Sequence, residues 1–160
     1  LSIRRQRQMC IRDSIMTAAF LHGADVAASA REAHAVAERV GLAGREHDLT
    51  PTLTNAQKKR LEVGRALGTR PKLLLLDEVM AGLNHTEVRR MLDLIRRVRE
   101  EGVTVLLVEH NMEAVMAISD RLVVLDAGRK IADGQPRAVV DDPAVIRAYL
   151  GDETPEGADA

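Results

Sequence analysis

The sequence predicts an α/β domain built on a parallel sheet, and three observations carry that expectation. Residues 73–76 form a continuous apolar run, residues 103–108 form a second broken only by Thr104, and residues 121–125 supply a third. Short uninterrupted runs of this kind suit strands buried on both faces, as in parallel sheets. The segments between them have helical spacing, so strand, helix, strand, helix and strand follow one another, the order of parallel crossovers.

From the start of the chain, Arg4, Arg5, Arg7 and Arg12 make residues 1–14 basic, and no periodicity runs through them. They are expected to be a non-native or disordered leader running into a helical pattern at about Asp13 or Ser14. A cleaved signal is the competing reading, with residues 15–21 as its apolar run and Ala28-Ser29-Ala30 as a cleavage site. That run is short, holds Thr17, and ends at His22 and Gly23. Residues 15–40 are rich in alanine with a break near residues 22–25; residues 31–40 look helical, and Gly41 is a natural stop. A turn-rich stretch surrounds Pro51. Residues 57–67 have helical spacing, with Leu61, Gly64 and Leu67 on one side and Lys58, Lys59 and Arg60 solvated, and Gly68 and Pro71 close the segment.

Between the first two apolar runs, Val88, Met91, Leu92, Ile95 and Val98 make one stripe of a helix, opposite Arg89, Arg90, Arg96, Arg97 and Arg99 on a solvated face. Asn84 followed by Glu87 resembles a capping box. Residues 112–118 give a second crossover helix. Ala127-Gly128 reads as a turn, residues 130–132 as a short strand, and residues 136–140 and 143–150 as helices with proline in the first turn. Residues 151–160 are small and acidic, and are expected to be disordered.

Composition bounds the function. The 160 residues suffice for one domain; 46% are hydrophobic and 29% charged, a globular balance. With one Phe, one Tyr and no Trp, the core must come from Leu, Val, Ile, Ala and Met. A formal net charge of -1 gives no electrostatic footing for nucleic acid. The single cysteine, Cys10, rules out an internal disulfide framework and a multi-cysteine metal site, and fits a reducing cytosolic setting. No apolar run approaches the ~18–20 residues of a membrane helix.

Three places can carry chemistry. Residues 73–76 end in Asp77-Glu78, and ligands bind at the carboxyl ends of such strands. One acid can hold Mg²⁺ and the other can orient or deprotonate a water; an exposed acid pair of no function would look the same. His110 stands just beyond the second apolar run, within Val108-Glu109-His110-Asn111, placed to meet a phosphate or water, although a lone histidine is more often structural. Leu53-Thr54-Asn55-Ala56-Gln57 opens a helix. Thr54 or Asn55 would cap it, and free N–H groups there suit an anion, although an ordinary capped helix needs nothing more.

Taken together in this order and spacing, these motifs resemble the ATP-binding cassette (ABC) transporter ATPases. The resemblance covers about residues 15–153 and implies a P-loop NTPase fold, with ATP and Mg²⁺ as ligands. It implies a signature motif at Thr54, Asn55, Ala56 and Gln57, and a Walker B strand in which Asp77 assists the metal. It also implies Glu78 as general base, a D-loop over residues 81–84 ending in Asn84, and His110 as the switch histidine. Residues 15–56 would be a helical-subdomain remnant, 57–150 the C-terminal part of the nucleotide-binding core, and 151–160 a tail. The run from Lys59 to Leu67, the D-loop ending in Asn84, and the closing residues 142–151 look like the branched-chain amino acid type, with urea-type and lipopolysaccharide-export subunits as related branches. The implied partners are a second ABC ATPase subunit, identical or paralogous, and transmembrane permease subunits. The implied location is the cytoplasmic face of the membrane. A non-catalytic subunit lending its signature motif to a partner is the rival reading; a DNA-repair or translation ATPase would call for coiled-coil inserts or a second cassette.

The sequence departs from that pattern in places. A phosphate-binding loop needs Gly-x-x-x-x-Gly-Lys-Ser/Thr, yet Lys58, Lys59, Lys72 and Lys130 are the lysines and none follows a glycine. The resemblance places that loop upstream with an adenine-stacking aromatic and a glutamine loop, so the chain is expected to begin after them. Asn55 and Ala56 replace two signature glycines, and Val79 replaces a proline. The missing strand would lie between the second and third apolar runs, so exposed strand edges and poor solubility are expected for the isolated chain.

Overall fold

The computed structural model describes residues 9–22 and 25–150. The chain divides into two compact units, residues 1–109 and 110–160. In the first unit, helices α1 (Ile11–Ala19), α2 (Val26–Arg39) and α3 (Asn55–Gly68) precede strand β1 (Leu73–Asp77), helix α4 (His85–Glu100) and strand β2 (Thr104–Val108). The second holds α5 (Met112–Ile118), β3 (Leu122–Asp126), β4 (Arg129–Gly134), α6 (Pro136–Val140) and α7 (Pro143–Leu150).

Helices α1, α2 and α3 pack on one another. Ile11, Ile15, Val36, Val40 and Leu67 are all but fully buried among them. Gly64 permits the close approach of α3 to α2: a Cβ there would lie 3.4 Å from both methyls of Val40. Helix α2 stops where the sequence says it should. Gly41 adopts φ 72°; its N–H reaches the Glu38 carbonyl at 3.0 Å, and the Leu42 N–H reaches Ala37 at 2.8 Å. That pair of bonds is the glycine-dependent Schellman closure.

β1 and β2 pair in parallel, Leu73 opposite Thr104 through Asp77 opposite Val108. α4 packs against β2, with Met91, Leu92, Ile95 and Val98 of the expected stripe buried and Leu94 beside them. Asn84 and Glu87 close a reciprocal capping box at its start.

The structure revises several expectations. Residues 11–14 are not a disordered leader: α1 starts at Ile11, because the Cys10 sulfur accepts the Asp13 N–H as an N-cap and Ile11 is fully buried. The compact units part at Glu109/His110, and α3 packs onto α1 and α2 within the first of them. The strands are not buried on both faces. In β1, Leu74 and Leu76 point inward, whereas Leu73 and Leu75 are exposed, and so are Leu106 and Val108 of β2. Nor does the third apolar run join a parallel sheet. β3 pairs antiparallel with β4 through a tight turn at Ala127 and Gly128, both at positive φ. That combination is the primed hairpin geometry, which keeps the twist of the two strands. Ala132, Val139 and Val145 form the small core beneath this hairpin.

Candidate functional site

The site is a turn between a strand and a helix. β1 ends at Asp77, and the next residue, Glu78, takes φ 44°. A glutamate in the left-handed region is strained, so its surroundings must hold it there. The Glu78 N–H donates to the Val108 carbonyl at 2.9 Å, and the Glu78 carbonyl accepts from Ala81 N–H at 3.1 Å. Val79 and Met80 are buried and pin the turn to the core. Val79 thus fills by packing the place where the resemblance leads one to expect proline. Gly82 turns the chain at φ 72°, and Asn84 starts α4. Its amide oxygen is committed to the Glu87 N–H at 3.0 Å.

Thr54, not Asn55, caps α3: its hydroxyl accepts the Gln57 N–H at 3.3 Å while the Gln57 side chain accepts the Thr54 N–H at 3.0 Å. This frees Asn55, whose amide donates toward the carbonyls of Gly82 at 3.3 Å and Ala81 at 3.5 Å. Ala56 is buried, so only its backbone can face a ligand. The start of α3 and the turn after β1 are therefore one assembly. Lys59, expected to be solvated, sends its ammonium to the Glu78 carbonyl at 3.3 Å. Arg60 is half-buried, and its guanidinium is held below the usual arginine range, first by burial and then by repulsion from Arg90.

His110 opens the second unit. Its carbonyl accepts the Tyr149 hydroxyl at 3.2 Å, and Asn111 caps α5 by accepting the Ala114 N–H at 3.0 Å. Sequence reasoning passed over Lys59 and Glu109 as site-adjacent groups, and Tyr149 as a partner of His110. Glu109 accepts the Met80 N–H at 2.9 Å; the one signal was its place beside His110 at the end of an apolar run. Among the described residues, no three His, Cys, Asp or Glu side chains gather as a metal site. Asp77 stands exposed at the strand end as a single hard oxygen donor.

The model of the ABC transporter family matches residues 2–81, half of the chain. This chain belongs to the ABC transporter family. A second model, for the branched-chain amino acid ATP-binding cassette transporter, matches residues 129–154 of this ABC-family chain. The high-affinity branched-chain amino acid transport ATP-binding protein BraF of Pseudomonas aeruginosa is 47% identical over 116 residues, covering 72% of this chain and 46% of its own length. LivG of Escherichia coli, named for the same transport, is 41% identical with the same coverage. The methionine import ATP-binding protein MetN of Rhizobium etli is 36% identical over 149 residues, 91% of this chain and 41% of its own. The chain thus spans about half the length of the relatives it matches. Among solved structures, the ADP conformation of MJ1267, an ATP-binding cassette of an ABC transporter, superposes with a TM-score of 0.79 at 24% identity, covering 94% of this chain and 66% of that one. The expected ABC ATPase fold is therefore the fold of this ABC-family chain, in part, as a mixed α/β arrangement.

Proposed function

We propose that this chain is part of the ATP-hydrolysing subunit of an ABC importer for branched-chain amino acids. One observation carries the reading. A strand ends in Asp77-Glu78, and Glu78 is kept in a strained conformation at the start of a turn bonded to the Thr54–Gln57 helix start. Strain of this kind collects where function needs it. The branched-chain assignment draws support from the match at residues 129–154 and from the similarity to BraF and LivG.

In this reading Glu78 accepts a proton from the water that attacks the γ-phosphorus, and ADP departs with the bridging oxygen. Asp77 is the residue that would hold Mg²⁺, and one carboxylate suffices because this ion keeps waters and takes phosphate oxygens as its other ligands. When bound, the ion would neutralise charge on the phosphates. Thr54 and the N–H groups opening α3 would meet the γ-phosphate of the nucleotide held by a second ATPase subunit, at the positive end of the helix. His110 is assigned the phosphate-sensing role by its place in the sequence. No helix among the described residues is long and apolar enough to cross a membrane, and the proposed partners are permease subunits reached from the cytoplasmic face.

Residues 9–150 joined behind the phosphate-loop half of a branched-chain amino acid ATPase are expected to turn over ATP. Glu78→Gln is expected to keep nucleotide binding while lowering turnover at least about 100-fold, within the usual range for a general base. A fusion that folds but neither binds nor cleaves ATP would overturn the reading.

A further inference from the structure

The turn at residues 78–82 is held by more side chains than a connecting loop needs. Lys59 donates to the Glu78 carbonyl at 3.3 Å. Asn55 donates toward the Ala81 and Gly82 carbonyls at 3.5 and 3.3 Å. From the other side, Glu109 accepts the Met80 N–H at 2.9 Å. Asn55 and Lys59 are four residues apart, so one face of α3 presents both donors.

We propose that Asn55, Lys59 and Glu109 are positioning residues that clamp the 78–82 backbone and so keep Glu78 in its left-handed conformation, fixing where its carboxylate points. The three act on backbone groups at the strained residue and in the turn that follows it, from the Glu78 carbonyl to the Gly82 carbonyl, and an outlier persists only where its surroundings hold it. Gly82 belongs to the same arrangement. A Cβ at that position would lie 3.1 Å from the Asn55 amide nitrogen, so the small residue admits the donor. Asn55 then has a purpose that a glycine could not serve: it ties the helix that offers Thr54 to the turn that offers Glu78. Movement of one would be felt by the other without a change in either side chain. The link to catalysis rests on reading Glu78 as the general base; the clamp itself does not.

The test uses the 160-residue chain. Backbone chemical shifts report φ at Glu78, and amide exchange reports the Met80 and Ala81 N–H groups. With Asn55→Ala plus Lys59→Met, and separately with Glu109→Leu, Glu78 is expected to leave the left-handed region. Exchange in the turn is expected to quicken about tenfold, as for the loss of one or two modest hydrogen bonds. Lys59→Arg and Glu109→Gln keep a donor and an acceptor, and should restore both readouts. Lys58→Met, on the neighbouring exposed lysine, should change neither. Unaltered Glu78 shifts and unaltered exchange in the first two variants would overturn the proposal. In the fused subunit, the same two variants should lower kcat, counted per folded nucleotide-binding site by ATP titration, at least tenfold with the KM for ATP within twofold; a fall that disappears once the folded sites are counted would mark a merely structural loss. Should the parent fusion prove inactive, the functional reading fails, while shifts and exchange still decide the clamp.

Discussion

Leu74→Ala and Leu75→Ala are the same chemical change at adjacent positions, and the structure separates them sharply. Leu74 is 3% exposed and Leu75 is 64% exposed, because successive side chains of a strand point to opposite faces. Truncating a buried leucine costs about 2–5 kcal/mol, the removed methyls plus the cavity left behind. Leu75 has about a third of its surface covered, so its truncation forfeits below about 1 kcal/mol from a full-burial value of ~1.5–3 kcal/mol. At roughly 2–4 °C per kcal/mol for a chain of this size, Leu74→Ala should lower the melting point of the first unit by about 5–15 °C and Leu75→Ala by no more than about 3 °C. Thermal and urea unfolding followed by far-UV circular dichroism gives both numbers. Equal losses for the two variants would refute the reasoning, since they would mean that the Leu75 face is covered in solution.

The bare face yields a second expectation: Leu75→Lys with Leu106→Lys should raise the soluble yield of the isolated chain without lowering stability, as measured by centrifugation and light scattering. Thr54→Ala removes the N-cap of α3 and should cost about 1 kcal/mol in chemical unfolding. Ala127→Gly relieves a left-handed alanine in the β3–β4 turn and should stabilise the second unit by about 0.5–1 kcal/mol. Asp133 is bound by Arg121 at 2.7 Å and Lys130 at 2.9 Å, which hold its carboxyl well below the ordinary 3.8, the Arg121 hydrogen bond foremost. A depressed folded-state value stabilises above the unfolded one, so this contribution is present at neutral pH and is lost as the pH falls below about 4. Carboxyl titration by NMR should show Arg121→Gln returning the Asp133 midpoint toward its ordinary value.

Local chemistry was the most legible part of the sequence. The Asn84–Glu87 box, the stop at Gly41 and the bounds of α5, α6 and α7 depend on neighbours within a few residues, and all appear where the spacing places them. Strand faces were not legible. A continuous run such as residues 73–76 states that both faces are apolar, not that both are covered, and burial depends on partners distant in the chain. The antiparallel pairing of β3 was also concealed, because an apolar run carries no sign of direction. At the candidate site, Asp77 and Glu78 stood out by their position after a strand. Lys59 and Glu109 did not, because each bonds to backbone rather than to another side chain, and no spacing rule records such a bond across 19 or 29 positions.

Tyr149, bonded to the His110 carbonyl at 3.2 Å, is the sole tyrosine of a chain without tryptophan. Its emission therefore has no brighter indole to lose energy to, and it originates entirely from α7 in the second unit. Ultraviolet fluorescence of the unlabelled protein follows the melting of the second unit alone, while helical ellipticity is weighted toward the longer helices α2, α3 and α4 of the first. Two optical signals from one sample thus resolve whether the halves unfold together or apart, with no dye and no mutation.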